Sequence, residues 1–392
     1  MLEVSPGSDV TTVAHAVPLA PAQEAARSRR STRGPRLTLD VGPLLDNQWT
    51  GIPVFTRRLA EALLRDARVD LSFSFNLARL TNSKVVAAIK AGTGTFLRHE
   101  YEDYAYADCQ PVDPGEPILY PSVKRACSAG AREASVIHDM STLVMPENHE
   151  ASNVSHHLDD FVNEVRSNEM TFCVSEATKY ALETYFPSLS GRTTLLYQYV
   201  DWPPEFSIMD RNLPDLKIGR YAVVIGTIEP RKNLAILLRA LALPELDRSD
   251  LTFVIIGKLG WLVDTFLNEL TPAQKSRLVF SGFVSEFMKY RLIAHAEFMV
   301  FPSLYEGFGI PAVEALSLGK PVLASRTSSF PEVIGKAGLF FDPVSAEELA
   351  DCLTRLSHEP TLADLASEAV DQSRQFNWRR MADPVVRWAT RL

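Results

Sequence analysis

Residues 302–332 read PSLYEGFGIPAVEALSLGKPVLASRTSSFPE. The apolar run Phe298-Met299-Val300-Phe301 before them has the length and β-type composition of a buried strand. A glycine-rich turn follows, Glu306-Gly307-Phe308-Gly309-Ile310-Pro311, and 312–318 reads as a helix stopped at Gly319. Strand, tight turn and helix start form the repeating unit of an α/β sheet. They leave free backbone N–H groups at the carboxyl edge of the sheet, where an anion is favoured. Two carboxylates frame that edge, Glu306 in the turn and Glu314 within the helix. Carboxylates repel phosphate, so these two are expected to accept hydrogen bonds from ribose or hexose hydroxyls. A ligand with both phosphate and many hydroxyls is a nucleotide sugar.

The same grammar extends on both sides. Upstream, 221–225, 252–256 and 278–280 read as strands, and 233–243, 263–270 and 286–296 as helices, an alternation that calls for a parallel sheet covered on both faces. Between the first strand and helix of this series stands Gly226-Thr227-Ile228-Glu229-Pro230-Arg231-Lys232-Asn233. Two adjacent cations at such a turn, opposite the glycine turn, suit a diphosphate: arginine by its fork, lysine as a point charge. Downstream, 346–356 and 362–374 read as amphipathic helices.

An earlier α/β series begins with a strand at 36–41 that breaks at Gly42-Pro43. Thr50-Gly51-Ile52-Pro53 lies at the turn into a helix over 55–66, on which Phe55, Leu59, Ala62 and Leu63 recur at helical spacing. Further strands are expected at 69–75, 118–120, 135–139, 171–174 and 194–200, with helices at 83–90 and from Ser175 to about 186. His138-Asp139 ends one of these strands at the ligand-bearing edge of the sheet. Aromatic residues crowd 92–115 (Phe96, Tyr101, Tyr104, Tyr106), where sugar rings could stack. The stretch 147–169 reads as a polar helix pair or one long helix. Its His149, His156 and His157 lack an acidic or cysteine partner at metal-ligand spacing. Residues 201–220, with three prolines and no steady period, read as a linker between two domains.

At 392 residues, with 46% hydrophobic and 22% charged residues, the chain has the makeup of a two-domain globular protein. Its net charge of −8 argues against general nucleic-acid binding. No apolar run reaches the ~20 residues that span a bilayer, and the N-terminus lacks the basic flank of a secretion signal. Cys109, Cys127, Cys173 and Cys352 stand apart, as reduced thiols would. A cytoplasmic setting is expected. Residues 1–35 show no periodicity and are read as a disordered tail. Their end, continuing to Arg36, carries five arginines suited to an anionic membrane surface or simply to water.

The run E-G-F-G-I-P-A-V-E over 306–314 resembles the E-x(7)-E signature of retaining glycosyltransferases of family 4. The flanking L-G-K-P-V-L-A-S and F-P-E-V-I-G-K-A-G-L-F-F-D-P are similar to the family's next strand and loop, and 229–233 is similar to its E-P-R-K-N motif. That resemblance implies a GT-B fold: two Rossmann-like α/β domains facing across a cleft, at 36–205 for the acceptor and 206–375 for the nucleotide sugar. Residues 376–392 would form a closing helix that crosses back to the first domain. It implies Gly51 in a glycine loop near the diphosphate, the bland alternative being a helix cap. It also implies His138 near the donor sugar, Glu306 at the hexose and Glu314 at the ribose. The donor site is then expected to comprise Gly51, Gly226, Arg231, Lys232, Glu306, Gly307, Phe308, Gly309, Ile310 and Glu314, with His138, Glu306, Arg231 and Lys232 acting in catalysis. Thr227 departs from members that carry arginine after the glycine.

The sequence contains no D-x-D for a metal, so the cation pair is expected to take its place, with no cofactor. Transfer from a nucleotide sugar, GDP-mannose first, to a saccharide or lipid-linked acceptor in surface polysaccharide synthesis follows from the resemblance. A nucleotide-sugar epimerase on the same fold and a non-catalytic nucleotide-sugar-binding protein are the rival readings.

Overall fold

The computed structural model describes residues 34–392 except 47–48, 50, 93–109, 123, 125–126, 150, 152–153, 156–160, 247–248, 259–270 and 392. The tail, the aromatic cluster at 96–106, His156, His157 and the helix expected at 263–270 therefore lie outside the described residues.

Among the described residues two sheets form. The first has strand order β3-β2-β1-β4-β5-β6-β7. Its strands are β1 (Arg36–Asp40), β2 (Asp70–Phe75), β3 (Ala78–Leu80), β4 (Pro117–Tyr120), β5 (Arg132–Ile137), β6 (Met170–Cys173) and β7 (Thr193–Leu195). All neighbours are parallel except β3, which folds back antiparallel on β2. The second sheet, order β10-β9-β8-β11-β12-β13, is parallel throughout. It comprises β8 (Tyr221–Ile225), β9 (Thr252–Ile256), β10 (Leu278–Gly282), β11 (Met299–Phe301), β12 (Val322–Ser325) and β13 (Gly338–Phe341). Both orders reverse direction once, between β1 and β4 and between β8 and β11. Doubly wound sheets bind ligands at the carboxyl ends of the strands flanking such a reversal.

The strands are apolar because helices cover both faces. Leu37, Leu39, Ala222, Val223, Met299 and Val300 are all fully buried. Helices α1 (Ile52–Leu64), α2 (Glu176–Tyr185), α3 (Leu234–Leu241), α4 (Glu286–Ala294), α5 (Ile310–Ser317), α6 (Phe330–Ile334) and α7 (Trp378–Ala389) matter most for the site. Ser175 caps α2, its Oγ accepting the Thr178 N–H at 3.0 Å, a contact worth about 1 kcal/mol. Gly309 caps α5 at φ 86°, a left-handed conformation that a β-branched residue would resist.

Helix α7, capped by Asn377, returns to the first domain and packs on α1. Its Val385, Val386 and Trp388 are buried, and Trp388 meets Phe172 of β6 edge to face. Arg132 of β5 donates to the Trp388 carbonyl at 2.7 Å. One apolar cluster runs from Leu39 through Phe308 and Phe376 to Val254, so both sheets share a core.

The structure differs from the sequence reading in several segments. The expected irregular linker contains a helix, Pro204–Arg211, with a proline at its start and no buried residue. Without an apolar stripe it gives no periodic signal, and it is held by Asp210, which accepts from Arg291 at 2.5 Å. Strand β7 ends at Leu195, sooner than expected, and β3 follows a turn in which Asn76, a residue that tolerates positive φ, is joined by Leu77, which ordinarily does not. Within 147–169 the described residues show a 3₁₀ turn at Pro146–Asn148, helical backbone at Ala151, Val154 and Ser155, and a helix at Phe161–Arg166.

Candidate active site

The 3₁₀ turn Pro230–Lys232 follows β8 and carries both cations of the sequence motif. Lys232 passes over Gly226, where a Cβ would lie 3.0 Å from the lysine Cε. Its Nζ donates to Glu306 Oε1 at 2.5 Å, and Ser303 Oγ donates to the same oxygen at 2.9 Å. Arg231 Nη1 lies 3.6 Å from Glu306 Oε2 and donates to the Tyr305 carbonyl at 2.8 Å, while Nη2 donates to Glu229 at 2.6 Å. The cation pair and the first carboxylate, separate in the sequence, thus form one cluster. Burial pushes the Glu306 carboxyl up, but Lys232 and Arg231 outweigh it and hold the group below its ordinary range.

The glycine turn meets the end of β5. A Cβ on Gly307 would fall 1.7 Å from the His138 carbonyl oxygen, so only glycine permits this approach. Thr178 Oγ1 of α2 donates to the Gly307 carbonyl at 3.2 Å, and Ser329 Oγ to the carbonyls of Glu306 and Phe308 at 3.0 and 3.1 Å. Phe308 is buried against Tyr197 and Phe376, so its side chain is spent on packing and only its backbone is left for a ligand. Ile310 starts α5 behind Gly309.

His138 directly follows β5, its Nε2 2.7 Å from the Pro121 carbonyl oxygen and its ring edge-on to Phe55. Burial lowers its pKa, so the ring is neutral at pH 7. A carbonyl only accepts, so Nε2 carries the proton and Nδ1 is the acceptor. Asp139 accepts from the Ser141 N–H and Oγ at 3.0 and 2.8 Å. Burial raises its pKa, but Arg231 across the cleft and Ser141 outweigh that and leave it lowered.

Glu314, on α5, is 1% exposed. Its Oε1 accepts from Lys289 Nζ of α4 at 2.7 Å and from Arg58 Nη2 of α1 at 3.0 Å. Gly51 caps α1 at φ 53°, exposed, with nothing within 4 Å of where a Cβ would stand. A second seam joins the domains behind the turn, where both oxygens of Glu332 on α6 accept the Glu176 N–H at 3.0 Å at the start of α2.

The family described as Glycosyl transferases group 1 matches residues 211–375, the part that builds the second sheet and its cation turn. The O-antigen chain mannosyltransferase B of Escherichia coli is 29% identical over 263 residues, which are 65% of this chain and 69% of that one. The serotype-specific mannosyltransferase WbdA of Escherichia coli is 31% identical over 192 residues, 47% of this chain and 23% of that longer protein. Sucrose-phosphate synthase from Thermosynechococcus elongatus superposes with a TM-score of 0.64 at 17% identity, over 90% of this chain and 98% of that structure. The chain is a GT-B glycosyltransferase.

In this glycosyltransferase the sequence motifs fall at two facing sheet edges. Glu306, Arg231, Lys232 and Gly226 come together, with Gly307 against the main chain of His138. Glu314 lies in a separate cross-domain cluster, and no hydrogen bond or ion pair among the described residues ties Gly51 to either. Sequence reasoning missed Arg58, Lys289, Ser303 and Glu332. Arg58 had a signal: it interrupts the apolar stripe of Phe55, Leu59 and Ala62 on α1, where an arginine needs a partner. Lys289, Ser303 and Glu332 gave none, since nothing in their local spacing marks the partner each meets in the fold. Among the described residues no helix is long and apolar enough to cross a membrane.

Proposed function

We infer that the enzyme belongs to glycosyltransferase family 4 and moves a hexose from a nucleotide sugar, GDP-mannose, to a hydroxyl of a saccharide or lipid-linked saccharide, retaining the anomeric configuration. The product belongs to a surface polysaccharide or glycoconjugate. The carrying observation is the bonding of Glu306 to Lys232 and Arg231 beside the His138 step. An acceptor for hexose hydroxyls next to two cations for a diphosphate suits a nucleotide sugar as a whole. The mannosyltransferase names of the relatives favour mannose.

In the proposed reaction the bond between the anomeric carbon and the diphosphate oxygen breaks with its electron pair going to oxygen. Arg231, Lys232 and the N-terminal N–H groups of α5 take up that charge, the role a metal fills elsewhere. The acceptor oxygen bonds to the anomeric carbon on the same face, and its proton passes to the departing phosphate oxygen. Neutral His138, through Nδ1, accepts from a donor-sugar hydroxyl. The arginines of the tail suit peripheral contact with an anionic inner membrane surface, where a lipid-linked acceptor would be presented.

The test is a thermal-shift screen with UDP, GDP and dTDP, followed by transfer from the matching sugar and NMR of the new linkage. GDP-selective stabilisation and an α-linked mannose from the α-configured donor are expected, with activity unaffected by chelator. Inversion at the anomeric carbon, or activity lost to chelator and restored by manganese, overturns the mechanism. Sugar product formed without acceptor points to an epimerase instead.

A further inference from the structure

Helix α1 starts at the first domain's glycine turn and lays its second turn against the second domain. There Arg58 is 2% exposed and donates through Nη2 to Glu314 Oε1 at 3.0 Å. Lys289 Nζ donates to the same oxygen at 2.7 Å. The rest of this pair is orphaned: Glu314 Oε2 and the Nε and Nη1 of Arg58 are buried without a hydrogen-bond partner. Beside it, Arg57 donates to both oxygens of Glu286 on α4, at 2.8 and 3.2 Å.

A guanidinium and a carboxylate buried with half of their capacity unused are poorly compensated for the water they give up. As packing alone the pair is wasteful. As a contact that must open, it makes sense. Lys289 stays with Glu314 if Arg58 leaves, so the carboxylate is not stranded. Arg58 also has a second acceptor within reach on its own helix: Glu61, one turn on, whose carboxyl burial raises despite Arg57, Arg65 and Arg58 nearby.

We propose that Arg58 is a cross-domain latch on the donor site: it occupies the carboxylate that the donor's ribose hydroxyls take, and the nucleoside diphosphate must displace it, freeing α1 from the second domain. This rests on the reading of Glu314 as the ribose acceptor. The contact exists in one state only, so it subtracts from nucleotide affinity and couples donor binding to movement of α1.

The experiment is calorimetric titration of GDP and UDP into the full chain, as wild type, Arg58→Met, Arg58→Lys and Glu314→Gln. Hydrogen exchange of α1 is followed with and without nucleotide. Arg58→Met keeps the apolar stem and is expected to bind the preferred diphosphate about tenfold tighter, the scale of one charged hydrogen bond. Arg58→Lys should fall between, and nucleotide should speed exchange in α1 of the wild type. Unchanged or weaker binding by Arg58→Met, with Glu314→Gln still weakened, overturns the latch and leaves the donor reading standing. Wild type that binds neither nucleotide, or Glu314→Gln that binds as well as wild type, overturns the ribose assignment and the latch with it. Should Arg58→Met fail to fold, the exchange experiment decides: nucleotide-induced protection of α1 in the wild type overturns the latch.

Discussion

Gly307 and His138 touch through their main chains, so closely that a Cβ on residue 307 would overlap the His138 carbonyl oxygen at 1.7 Å and crowd Asp139 Cβ at 2.8 Å. No rotamer change relieves a clash with backbone. Gly307→Ala must therefore push β5 and the glycine turn apart, carrying Glu306 away from His138. A displacement of about 1 Å at a reacting centre costs on the order of 10²-fold in rate. Steady-state kinetics and a melting curve check this, with losses expected in both. Wild-type turnover would mean that the two edges are apart during catalysis.

Lys232→Ala removes the cation hydrogen-bonded to Glu306 and, in the proposed reaction, one of the two cations that meet the leaving diphosphate. The expected loss of transition-state stabilisation is ~2–4 kcal/mol, read from kcat/KM. A rate within a factor of about three of wild type would falsify the assignment.

The two glutamates are expected to separate by ligand. Glu306→Gln should lower turnover while leaving affinity for the free nucleoside diphosphate nearly unchanged, because that ligand has no hexose. Glu314→Gln should weaken the diphosphate itself by ~1–3 kcal/mol, the scale of a charged hydrogen bond. Titration of both variants reads this directly, and the reverse pattern would exchange their roles.

Acid should destabilise the fold in a defined window. Burial pushes Glu306, Glu314 and Asp139 up, but Lys232 with Arg231, Lys289 with Arg58, and Arg231 with Ser141 outweigh it, so all three titrate below their ordinary values. A carboxyl with a lowered folded pKa binds its proton more weakly than in the unfolded chain. Its stabilisation is full above the unfolded value of about 4 and is lost as pH falls through the folded one. Melting temperature is therefore expected to hold from neutrality to about pH 5 and to drop below pH ~4. Glu314→Gln should lower the neutral plateau and shallow the acid limb. An acid limb as steep as wild type in that variant would remove Glu314 from the linkage.

The parallel core of both sheets was legible because a strand covered on two faces is a short apolar run, as at 221–225 and 298–301, punctuated by turn residues. The cation turn and the glycine turn were legible for the same reason: functional groups at strand ends stand out against apolar neighbours. Helix Pro204–Arg211 was not, since it buries no residue fully and only Phe206 packs on neighbouring rings. The partners of the motif residues were not either. Lys289 and Arg58 reach Glu314 from two other helices, one of them in the first domain, and only the tertiary fold brings both cations to one carboxylate oxygen.

The polypeptide crosses between the two sheets twice, outward after β7 and back through Phe376 into α7, which is fastened to α1 and β6. A body tied to another by one cord can swing and twist; tied by two, it keeps chiefly the swing about the line joining the cords. Any opening between the two sheets would thus swing like a door on a pair of hinges, with the segment from Phe376 into α7 as one of them. A cut between Gln375 and Trp378 would leave every motif of the proposed donor site in place and still unhang the door.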